Sequence, residues 1–370
     1  MAEEPGKDLV RWRPPRNPLN SPIAAYALVI GMTVGCGALV YSHIERPPVL
    51  IEEAAAAAVP PARASISLKL PARTQAPLHF RTLTLAERDD LVEVTPDGLR
   101  LPKIASDGWM PWIAYARRYD PDGPAARVGL LMINLGADEA LMRRAIDDLP
   151  GEVSLAFLPG TPDLPKWMKR AHARDHETYL MMPVDDPGGI GERGIRPIDP
   201  AADGDENVRR LRQAMARGEG YVGFVMPAAE QVSRAETVAR PLVKEIADRG
   251  LALIEIDPGM TPSAMYGLTI ELGVGYARTS TVLDYKLARN GIDGNLDRLA
   301  EWTGESWPGR PPRHDFGVLQ PDNAAIDAIV SWRQRLARQS AVSFVPIIGQ
   351  FECRTACLAR LRAQPDQLRP

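Results

Sequence analysis

The feature that most constrains the fold is a regular alternation of apolar runs and amphipathic stretches from residue 126 onward. The apolar runs are continuous rather than alternating with polar residues, which is typical of strands covered on both faces of a parallel sheet. The first amphipathic stretch, 138–149, places its apolar residues on one helical face and has Asp138 as its N-cap. The alternation predicts an α/β fold, arranged as a barrel or a distorted barrel.

The predicted elements continue to residue 348. Strands are expected at 127–135, 153–160, 178–184, 221–227, 251–257, 279–284, 315–319 and 342–348. Helices are expected at 138–149, 164–176, from about 205, at 296–304 and at 323–338. A further helix is expected after Ser233 and Glu236, which have capping-box spacing, with a kink at Pro241. In such a fold the functional site lies at the C-terminal ends of the strands.

Length and composition allow one large domain with appendages. The chain has 370 residues, of which 45% are hydrophobic and 25% charged. Its formal net charge of -3 and pI near 6.0 do not indicate a basic surface of the kind that binds nucleic acid. The arginines are scattered among acidic residues. We therefore expect no nucleic-acid partner.

Residues 21–42 contain no charged side chain and are long enough to span a bilayer. Four basic residues precede this segment: Lys7, Arg11, Arg13 and Arg16. By the positive-inside rule the N-terminus is cytoplasmic, so we expect a single-pass inner-membrane protein with its main domain in the periplasm or another extracytoplasmic space. A signal peptide or lipoprotein signal is the alternative, although the apolar run exceeds a usual signal h-region.

The rest of the chain divides by composition. The expected boundaries are a cytoplasmic tail (1–20), the membrane helix (21–42), a Pro/Ala-rich linker (43–80), a β-rich lead-in (81–125), the α/β domain (126–350) and a C-terminal tail (351–370). Cys353 and Cys357 could form a disulfide in an oxidising compartment if their segment is a loop or hairpin, but not readily on a regular helix.

The order of the segments "LLMINLG", "VSLAFLPG", "DHETYLMMPV", "YVGFVMP", "RGLALIEID", "TSTVLD" and "DFGVLQP" resembles the divergent polysaccharide deacetylase family, a branch of the NodB-like superfamily. The resemblance covers roughly residues 90–350. It implies a distorted (β/α)7-type barrel, a divalent metal near the strand ends, and amide hydrolysis of N-acetylated sugars in the cell envelope. That chemistry uses a metal to activate water and a carboxylate as base.

The chain departs from the family at the positions that the resemblance assigns to the metal site. The two acids that end the family's first strand correspond to Ile133 and Asn134. The Asn-His/Tyr-Met-Gly stretch after the fourth strand falls on 226–229, which reads Met-Pro-Ala-Ala. Where members carry Gly-His-Pro, this chain has Leu-Gln-Pro at 319–321. The sequence thus predicts the family's fold without its first-strand carboxylates.

Several polar residues near predicted strand ends remain as site candidates, together with two tryptophans in an apparent insertion at 301–315 that could flank the cleft. The candidate catalytic residues are Asp185, Glu255 and Asp257. The candidate substrate-binding residues are Asn134, Asp186, Trp302, Trp307 and Gln320. Each has a structural alternative: the acids can belong to solvated turns, and the tryptophans can pack down their Pro-rich loop rather than stack on sugar rings.

Three further polar residues are expected to be structural. Glu177 matches the Gly-His-Glu block of the family it resembles, and the resemblance implies that it begins a strand and faces away from the cleft. His172 and His176 stand four apart on a predicted helix, a spacing that allows metal binding. That helix lies outside the sheet and the sequence offers no third ligand, so packing is the favoured interpretation.

The leading hypothesis is a membrane-anchored, deacetylase-like envelope protein whose metal site is degenerate and which acts in glycan binding or scaffolding. It carries no metal or other cofactor, its partners are an envelope glycan and the membrane, and whether it is an enzyme stays open. The alternative is an active amide hydrolase that removes acetyl groups from N-acetylated glycans with an unusual Zn ligand set.

Overall fold

The fold was analysed in a computed structural model of the chain. The structure describes residues 89–119, 126–184, 194–256, 263–284, 291–305, 310–338 and 342–351. Within these ranges no helix has the length and apolar character needed to cross a membrane. The expected membrane helix at 21–42, the linker at 43–80 and the Cys353–Cys357 pair lie outside the described residues.

The described part of the lead-in is a small hairpin followed by one helical turn. A 3-10 turn (Asp89–Leu91) precedes β1 (Val92–Val94), which pairs antiparallel with β2 (Arg100–Pro102). The turn between the strands contains Gly98 at a φ of 82°, a left-handed conformation that glycine adopts without steric cost. The short helix α1 (Pro111–Ala114) then packs Trp112 and Ala114 into a buried cluster.

The main domain is built on parallel strands that form a nearly closed barrel. The strands are β3 (Ala126–Leu135), β4 (Ser154–Phe157), β5 (Thr178–Met181), β6 (Gly223–Met226), β7 (Ala252–Ile256), β8 (Tyr276–Thr279), β9 (His314–Leu319) and β10 (Val342–Phe344). Strands β3 to β8 pair in chain order, while β9 and β10 both pair with β3. The predicted α/β class and distorted barrel are thereby confirmed.

Helices connect the strands on the outside of the barrel. They are α2 (Glu139–Asp148), α3 (Leu164–His172), α4 (Gly204–Met215), α5 (Glu230–Ser233), α6 (Glu236–Asp248), α7 (Ala264–Leu272), α8 (Gly291–Gly304) and α9 (Asn323–Leu336). The Asp138 side chain accepts from the Leu141 N–H at 3.0 Å, which confirms the predicted N-cap of α2. Asp203 caps α4 in the same way, through the Glu206 N–H.

Alternate residues of each strand enter two separate hydrophobic clusters. The inner cluster includes Leu131, Ala156, Tyr179, Val225, Ile254, Ala277 and Phe316, and it contains no residue of helices α2 to α9. The outer cluster joins the intervening strand residues, such as Leu130 and Leu253, to the apolar faces of the helices. Successive residues of a strand thus point to opposite faces of the sheet, as the two-residue period of a strand requires.

The barrel is closed by contacts that fall short of a regular strand pair. Val282 forms an isolated parallel bridge with Val318, and the Val318 N–H donates to the Thr281 carbonyl at 2.9 Å. At the opposite end, β10 leads into a 3-10 turn (Ile347–Gln350) whose Ile347 and Ile348 belong to the inner cluster. We call the C-terminal ends of the strands the mouth and the N-terminal ends, with this turn, the floor.

Some predicted boundaries were wrong. The strand expected at 279–284 is β8 at Tyr276–Thr279, followed only by the bridge at Val282. The strand expected at 342–348 ends at Phe344, because the chain turns at Pro346 to cover the floor. Ser233 is the last residue of α5 rather than a cap, and α6 begins without a side-chain cap and runs through Pro241.

Candidate functional site

The mouth begins with the irregular end of β3. The register between β3 and β4 shifts between Met132 and Leu135, so Ile133 and Asn134 occupy a bulge. Asn134 has a φ of 59°, a left-handed conformation that asparagine tolerates better than most residues. Ile133 is partly buried and packs against the inner cluster. An aliphatic side chain therefore lies where the family resemblance implies a metal-binding acid.

The turn after this bulge is fixed by close packing. Gly136 has a φ of 131°, and a Cβ atom built on it would lie 1.9 Å from the Thr161 Oγ1. The Thr161 hydroxyl donates to the Leu158 carbonyl at 2.7 Å and approaches the Leu135 carbonyl at 3.4 Å. A residue with a side chain cannot replace Gly136 without moving Thr161, so the end of β3 is held against the loop that follows β4.

Glu255, a candidate catalytic residue, faces the helix layer instead of the barrel interior. Its neighbours on β7, Ile254 and Ile256, belong to the inner cluster. The Glu255 carboxylate is buried and accepts hydrogen bonds from the Ser263 hydroxyl at 2.6 Å and the Tyr276 hydroxyl at 2.7 Å. Both partners are associated with the outer side of the sheet, where Ser263 caps α7. The structure therefore gives Glu255 a role in joining β7, β8 and α7.

Asn134 and Gln320 are the candidate residues that the structure places at strand ends on the mouth. Gln320 follows β9 and is exposed, and its backbone N–H donates to the Asp284 carboxylate at 2.8 Å. Four other candidates lie outside the described residues: Asp185, Asp186, Asp257 and Trp307. Their roles stay predictions.

Trp302 lies at the other end of the barrel from Asn134 and Gln320. It sits in the last turn of α8, in the connection that leads to the start of β9. The Arg313 guanidinium covers its ring at 4.5 Å from the centroid, and an Arg313 Nη1 donates to the Trp302 carbonyl at 2.6 Å. The side chain keeps 48% of its surface exposed. A stacking platform formed by Trp302 would therefore serve the floor end, not the mouth.

A buried polar network among the described residues lies at the floor of the barrel. The fully buried Glu177 carboxylate accepts four hydrogen bonds, two from hydroxyl groups and two from backbone N–H groups. The donors are Tyr179 Oη (2.6 Å), Ser154 Oγ (3.1 Å), Arg117 N (3.1 Å) and Ile348 N (3.2 Å). The Ser154 hydroxyl also accepts from the Ile347 N–H at 3.1 Å. Glu177 thus ties the lead-in, β4, β5 and the C-terminal turn together, which confirms the expectation that it is structural.

Burial raises the pKa of Glu177 to about 7, because a low-dielectric interior disfavours the charged form. The four hydrogen bonds act in the opposite sense and limit the rise. The neighbouring Tyr179 has its pKa raised by burial and by the adjacent carboxyl. Glu177 is therefore a structural acid whose proton is held across the mildly acidic range.

The histidine pair also has a structural role. The His172 Nε2 lies 2.9 Å from the Thr178 Oγ1, while the His176 ring nitrogens lie 2.8 Å from the Val153 carbonyl and 3.1 Å from the Ile146 carbonyl. Both rings are buried, and burial lowers the pKa of each, to about 4 for His172. These contacts occupy His172 Nε2 and both ring nitrogens of His176, which confirms the packing interpretation.

The described residues do not fit the divalent metal that the resemblance implies. Within the described ranges, no group of three or more His, Cys, Asp or Glu side chains is arranged to hold a metal ion. At the mouth, the position of the first family acid is occupied by the apolar Ile133. A metal centre made from these residues would lack the oxygen and nitrogen ligands that divalent cations need.

Sequence reasoning did not identify one group of charged residues that the structure brings together. Arg209, Arg210 and Arg217 on or just after α4 share a groove with Arg196 from the preceding connection. The signal in the sequence was present in "RRLRQAMAR" (209–217), where basic residues recur at helical spacing. Without the fold, these arginines could not be told from an ordinary solvated helix face.

Comparison with protein families gives a match over much of the main domain. The model of a family described as divergent polysaccharide deacetylase matches residues 131–347. No functionally curated protein matches the sequence. The match begins within β3 and ends at Ile347, the first residue of the 3-10 turn, so it coincides with most of the barrel described above.

Solved structures with a similar arrangement include an uncharacterised protein from Agrobacterium tumefaciens C58. It shares 24% sequence identity and has a TM-score of 0.57, covering 68% of this chain and 98% of that chain. An Enterococcus faecalis V583 protein named for cellobiose-phosphate cleavage has 10% identity and a TM-score of 0.41, covering 58% of this chain and 95% of that one. The first similarity supports the fold alone, and the second is too low to carry an argument.

Proposed function

The chain belongs to the divergent polysaccharide deacetylase family, and from that premise we propose that it is a metal-site-degenerate member that binds or scaffolds envelope glycans. The observation that carries the proposal is the packing of Ile133 on the inner cluster at the end of β3. A metal-dependent deacetylase needs a carboxylate-rich strand end, and an aliphatic side chain can neither bind a cation nor act as a base.

The mouth retains groups suited to holding a sugar without cleaving it. Asn134 and Gln320 supply amide donors and acceptors for hydroxyl and N-acetyl groups. Ile133 and Leu158, both partly buried against the inner cluster, add apolar surface beside them. Apolar surface with a few placed polar groups is the usual composition of a small-molecule site. Asp186 is proposed to contribute as well.

The alternative, an active amide hydrolase, would need Asp185, Glu255 and Asp257 to supply an unusual metal site. Nothing in the described geometry favours it, because Glu255 is directed at Ser263 and Tyr276 on the outer side of the sheet. The hydrolase is therefore kept as an outcome of the tests below.

Metal retention separates the two functions. The purified full-length protein is incubated with Zn²⁺, Co²⁺, Mn²⁺ or Ni²⁺, washed, and its metal content measured, beside an Ile133→Asp/Asn134→Asp variant. We expect the wild type to retain no metal and the variant to gain some, because the variant restores the two acids at the strand end. About one tightly held metal per wild-type chain would instead support the hydrolase, and acetate release from N-acetylated oligosaccharides would then be assayed.

Glycan binding is tested directly with neutral N-acetylated oligosaccharides. Calorimetric titration of the wild type should show binding that Asn134→Ala and Gln320→Ala each weaken by about three- to tenfold, the range for loss of one hydrogen bond. Trp302→Ala serves as the control, because Trp302 lies at the other end of the barrel. Equal binding by all variants would place the glycan elsewhere, and no binding by the wild type would remove the glycan-binding proposal.

We also propose that the protein is anchored in the inner membrane through residues 21–42, with its main domain on the periplasmic side. The support is the uncharged apolar segment and the basic residues before it. Alkaline extraction of membranes tests the anchor: the full chain should stay with the membrane pellet, whereas a variant with Leu28→Arg and Val34→Arg should not. Protease access from the periplasm to the main domain tests the orientation.

A further inference from the structure

A groove beside α4 is lined by an unusual number of guanidinium groups. It has a volume of about 650 Å³, which is within the range of small-molecule sites. The lining residues that carry charge are Arg196, Glu206, Arg209, Arg210 and Arg217. We call this the arginine groove. Four cations against one carboxylate make it strongly positive within a chain whose net charge is -3.

The single carboxylate is already shared by two of the arginines. Arg210 Nε donates to Glu206 Oε1 at 2.8 Å, and Arg209 Nε donates to Glu206 Oε2 at 3.1 Å. Arg210 also donates through Nη1 to the Pro197 carbonyl at 2.8 Å, and Asp199 lies 3.8 Å from that nitrogen. Glu206 is held in its charged form, since its hydrogen bonds to Arg210 and Arg209 lower its pKa.

Arg196 and Arg217 are not neutralised by this pair. Arg217 donates through Nε to the Pro159 carbonyl at 3.2 Å, which leaves its two terminal nitrogens directed elsewhere. Arg196 is exposed, and within the described ranges neither it nor Arg217 forms an ion pair with a carboxylate. Each therefore presents charge-assisted donors that suit the oxygens of a carboxylate or phosphate.

The groove also has surface that suits the body of a sugar. Leu99, Ile195 and Ala216 form apolar parts of the lining, and Gln213 supplies an amide. The groove is concave and small, whereas a nucleic acid or a membrane surface would be met by an extended basic face. An anionic sugar unit is the ligand class that uses both the arginines and the apolar lining.

We propose that the arginine groove binds the oxyanion of an acidic glycan, either a uronic-acid carboxylate or a sugar phosphate. The proposal rests on the glycan-binding function given above and adds an anionic subsite made of residues other than those assigned to the mouth. Arg196 and Arg217 hold the oxyanion, Arg209 and Arg210 supply the surrounding positive field with Glu206 fixing their position, and Gln213 contacts a hydroxyl group.

The test uses the full-length protein and an Arg196→Gln/Arg217→Gln variant in calorimetric titrations. The probes are a uronic-acid oligosaccharide, an N-acetylhexosamine phosphate, a neutral N-acetylated oligosaccharide and inorganic phosphate. An Arg143→Gln/Arg298→Gln variant is the matched control, because it removes the same charge from exposed positions on α2 and α8. Circular dichroism first checks that the variants are folded.

At least one acidic sugar should bind the wild type and the control alike and bind the groove variant about tenfold or more weakly, since two charge-assisted contacts are lost. Binding should also weaken when salt rises from about 20 to about 200 mM. The uronate and phosphate arms show which oxyanion is preferred. Neutral oligosaccharide should bind all three proteins equally, because the mouth is unchanged.

Two results would overturn the proposal. The first is that acidic sugars bind all three proteins equally or bind none of them. If the neutral oligosaccharide still binds, the glycan function at the mouth stands without the groove. The other is Arg196- and Arg217-dependent binding of inorganic phosphate without any acidic sugar, which would make the groove a site for free phosphate. If the wild type binds an acidic sugar but no neutral oligosaccharide, the proposed site at the mouth is wrong and the arginine groove is still supported.

Discussion

The two ends of the barrel are built in opposite ways. At the mouth, β3 ends in a bulge that carries an aliphatic residue, Ile133, and an asparagine in a left-handed conformation, Asn134. At the floor, Glu177 is fully buried and every one of four donors around it is directed at its carboxylate. The end of β3 lacks the carboxylates that the family resemblance implies there, while Glu177, an acid expected to be structural, organises the other end.

This contrast separates two uses of a buried or half-buried acid. A catalytic acid needs access to substrate and a tuned proton affinity, whereas a structural acid needs saturation by donors. Glu177 has a raised pKa, which on its own would suggest a functional site, but its four donors and its position among β4, β5 and the C-terminal turn leave it no access. The four donors and the burial of Glu177, and not its shifted pKa, therefore identify the floor as a structural centre.

The largest expected effect comes from removing the floor carboxylate. Glu177→Ala should lower the free energy of unfolding by about 3–5 kcal/mol, because buried donors of Ser154, Tyr179 and Ile348 lose their acceptor. Urea denaturation at constant pH measures this. Glu139→Ala is the matched control, since its side chain is 69% exposed, and it should change stability by no more than about 0.5 kcal/mol. Similar losses of unfolding free energy in the two variants would show that the buried hydrogen bonds of Glu177 do not stabilise the floor.

The pH dependence of stability gives a second test of the structural role of Glu177. The pKa of Glu177 rises from an ordinary value of 4.5 to about 7 in the fold, so the folded protein keeps the proton to higher pH than the unfolded chain. Its contribution to stability is complete below pH 4.5 and is lost as the pH rises through about 7. Across that range the stability of the wild type relative to Glu177→Gln should fall by about 3 kcal/mol.

Denaturation series at several pH values, run on both proteins, measure this difference. His172 has the opposite dependence, because its pKa falls to about 4, and its contribution is lost as the pH drops from its ordinary value toward 4. It is present in both proteins and cancels from the comparison. A difference that stays constant with pH would mean that folding does not shift the pKa of Glu177.

A smaller effect is expected at the turn that ends β3. Gly136→Ala should destabilise by about 2 kcal/mol, because the added Cβ would collide with Thr161 and the backbone is left-handed. Gly98→Ala measures the cost of the left-handed backbone without a collision, since Gly98 has a φ of 82° but open space around it. It should lower the free energy of unfolding by about 1 kcal/mol. Thermal and urea unfolding compare the two. Equal losses would show that Thr161 moves aside at little cost.

The smallest expected effect concerns Asn134 itself. Its φ of 59° suits glycine, so Asn134→Gly should leave stability within about 0.5 kcal/mol, whereas Asn134→Val should lose about 1–2 kcal/mol. The two variants remove the same amide and differ in backbone preference, so the unfolding free energies measure the strain alone. If valine were tolerated as well as glycine, the bulge would not require a left-handed residue.

Much of the fold was predictable because its signal is local. Continuous apolar strands separated by amphipathic helices identified the α/β class, and Asp138 identified the start of α2. The errors fell where tertiary contacts override local pattern. The run at 279–284 looks like a strand, but after Thr279 it pairs with the closing strand β9 through an isolated bridge, Val282 to Val318, and not through a regular ladder. The run at 342–348 looks like a strand, but the chain turns after Phe344 to cover the floor.

The site was less predictable, because side-chain direction depends on the register of a strand. Glu255 stands at a strand position that looked suitable for chemistry, yet a two-residue period sends it to the helix layer beside Ser263 and Tyr276. Trp302 looked like part of the mouth and lies at the end of a returning helix. The arginine groove combines residues from α4 with Arg196 from another connection, which no local spacing could reveal.

The sequence by itself determined the layered α/β architecture through its periodicity and the family through the resemblance of its segments to known members. It also determined that the first barrel strand ends without acids, because that depends only on residue type. Only the tertiary structure decided that Ile133 closes the strand end against the inner cluster, that Glu177 fastens the floor, and that four arginines share one groove. The reason is physical: burial, hydrogen-bond saturation and charge surplus are properties of neighbours in space, and those neighbours come from distant parts of the chain.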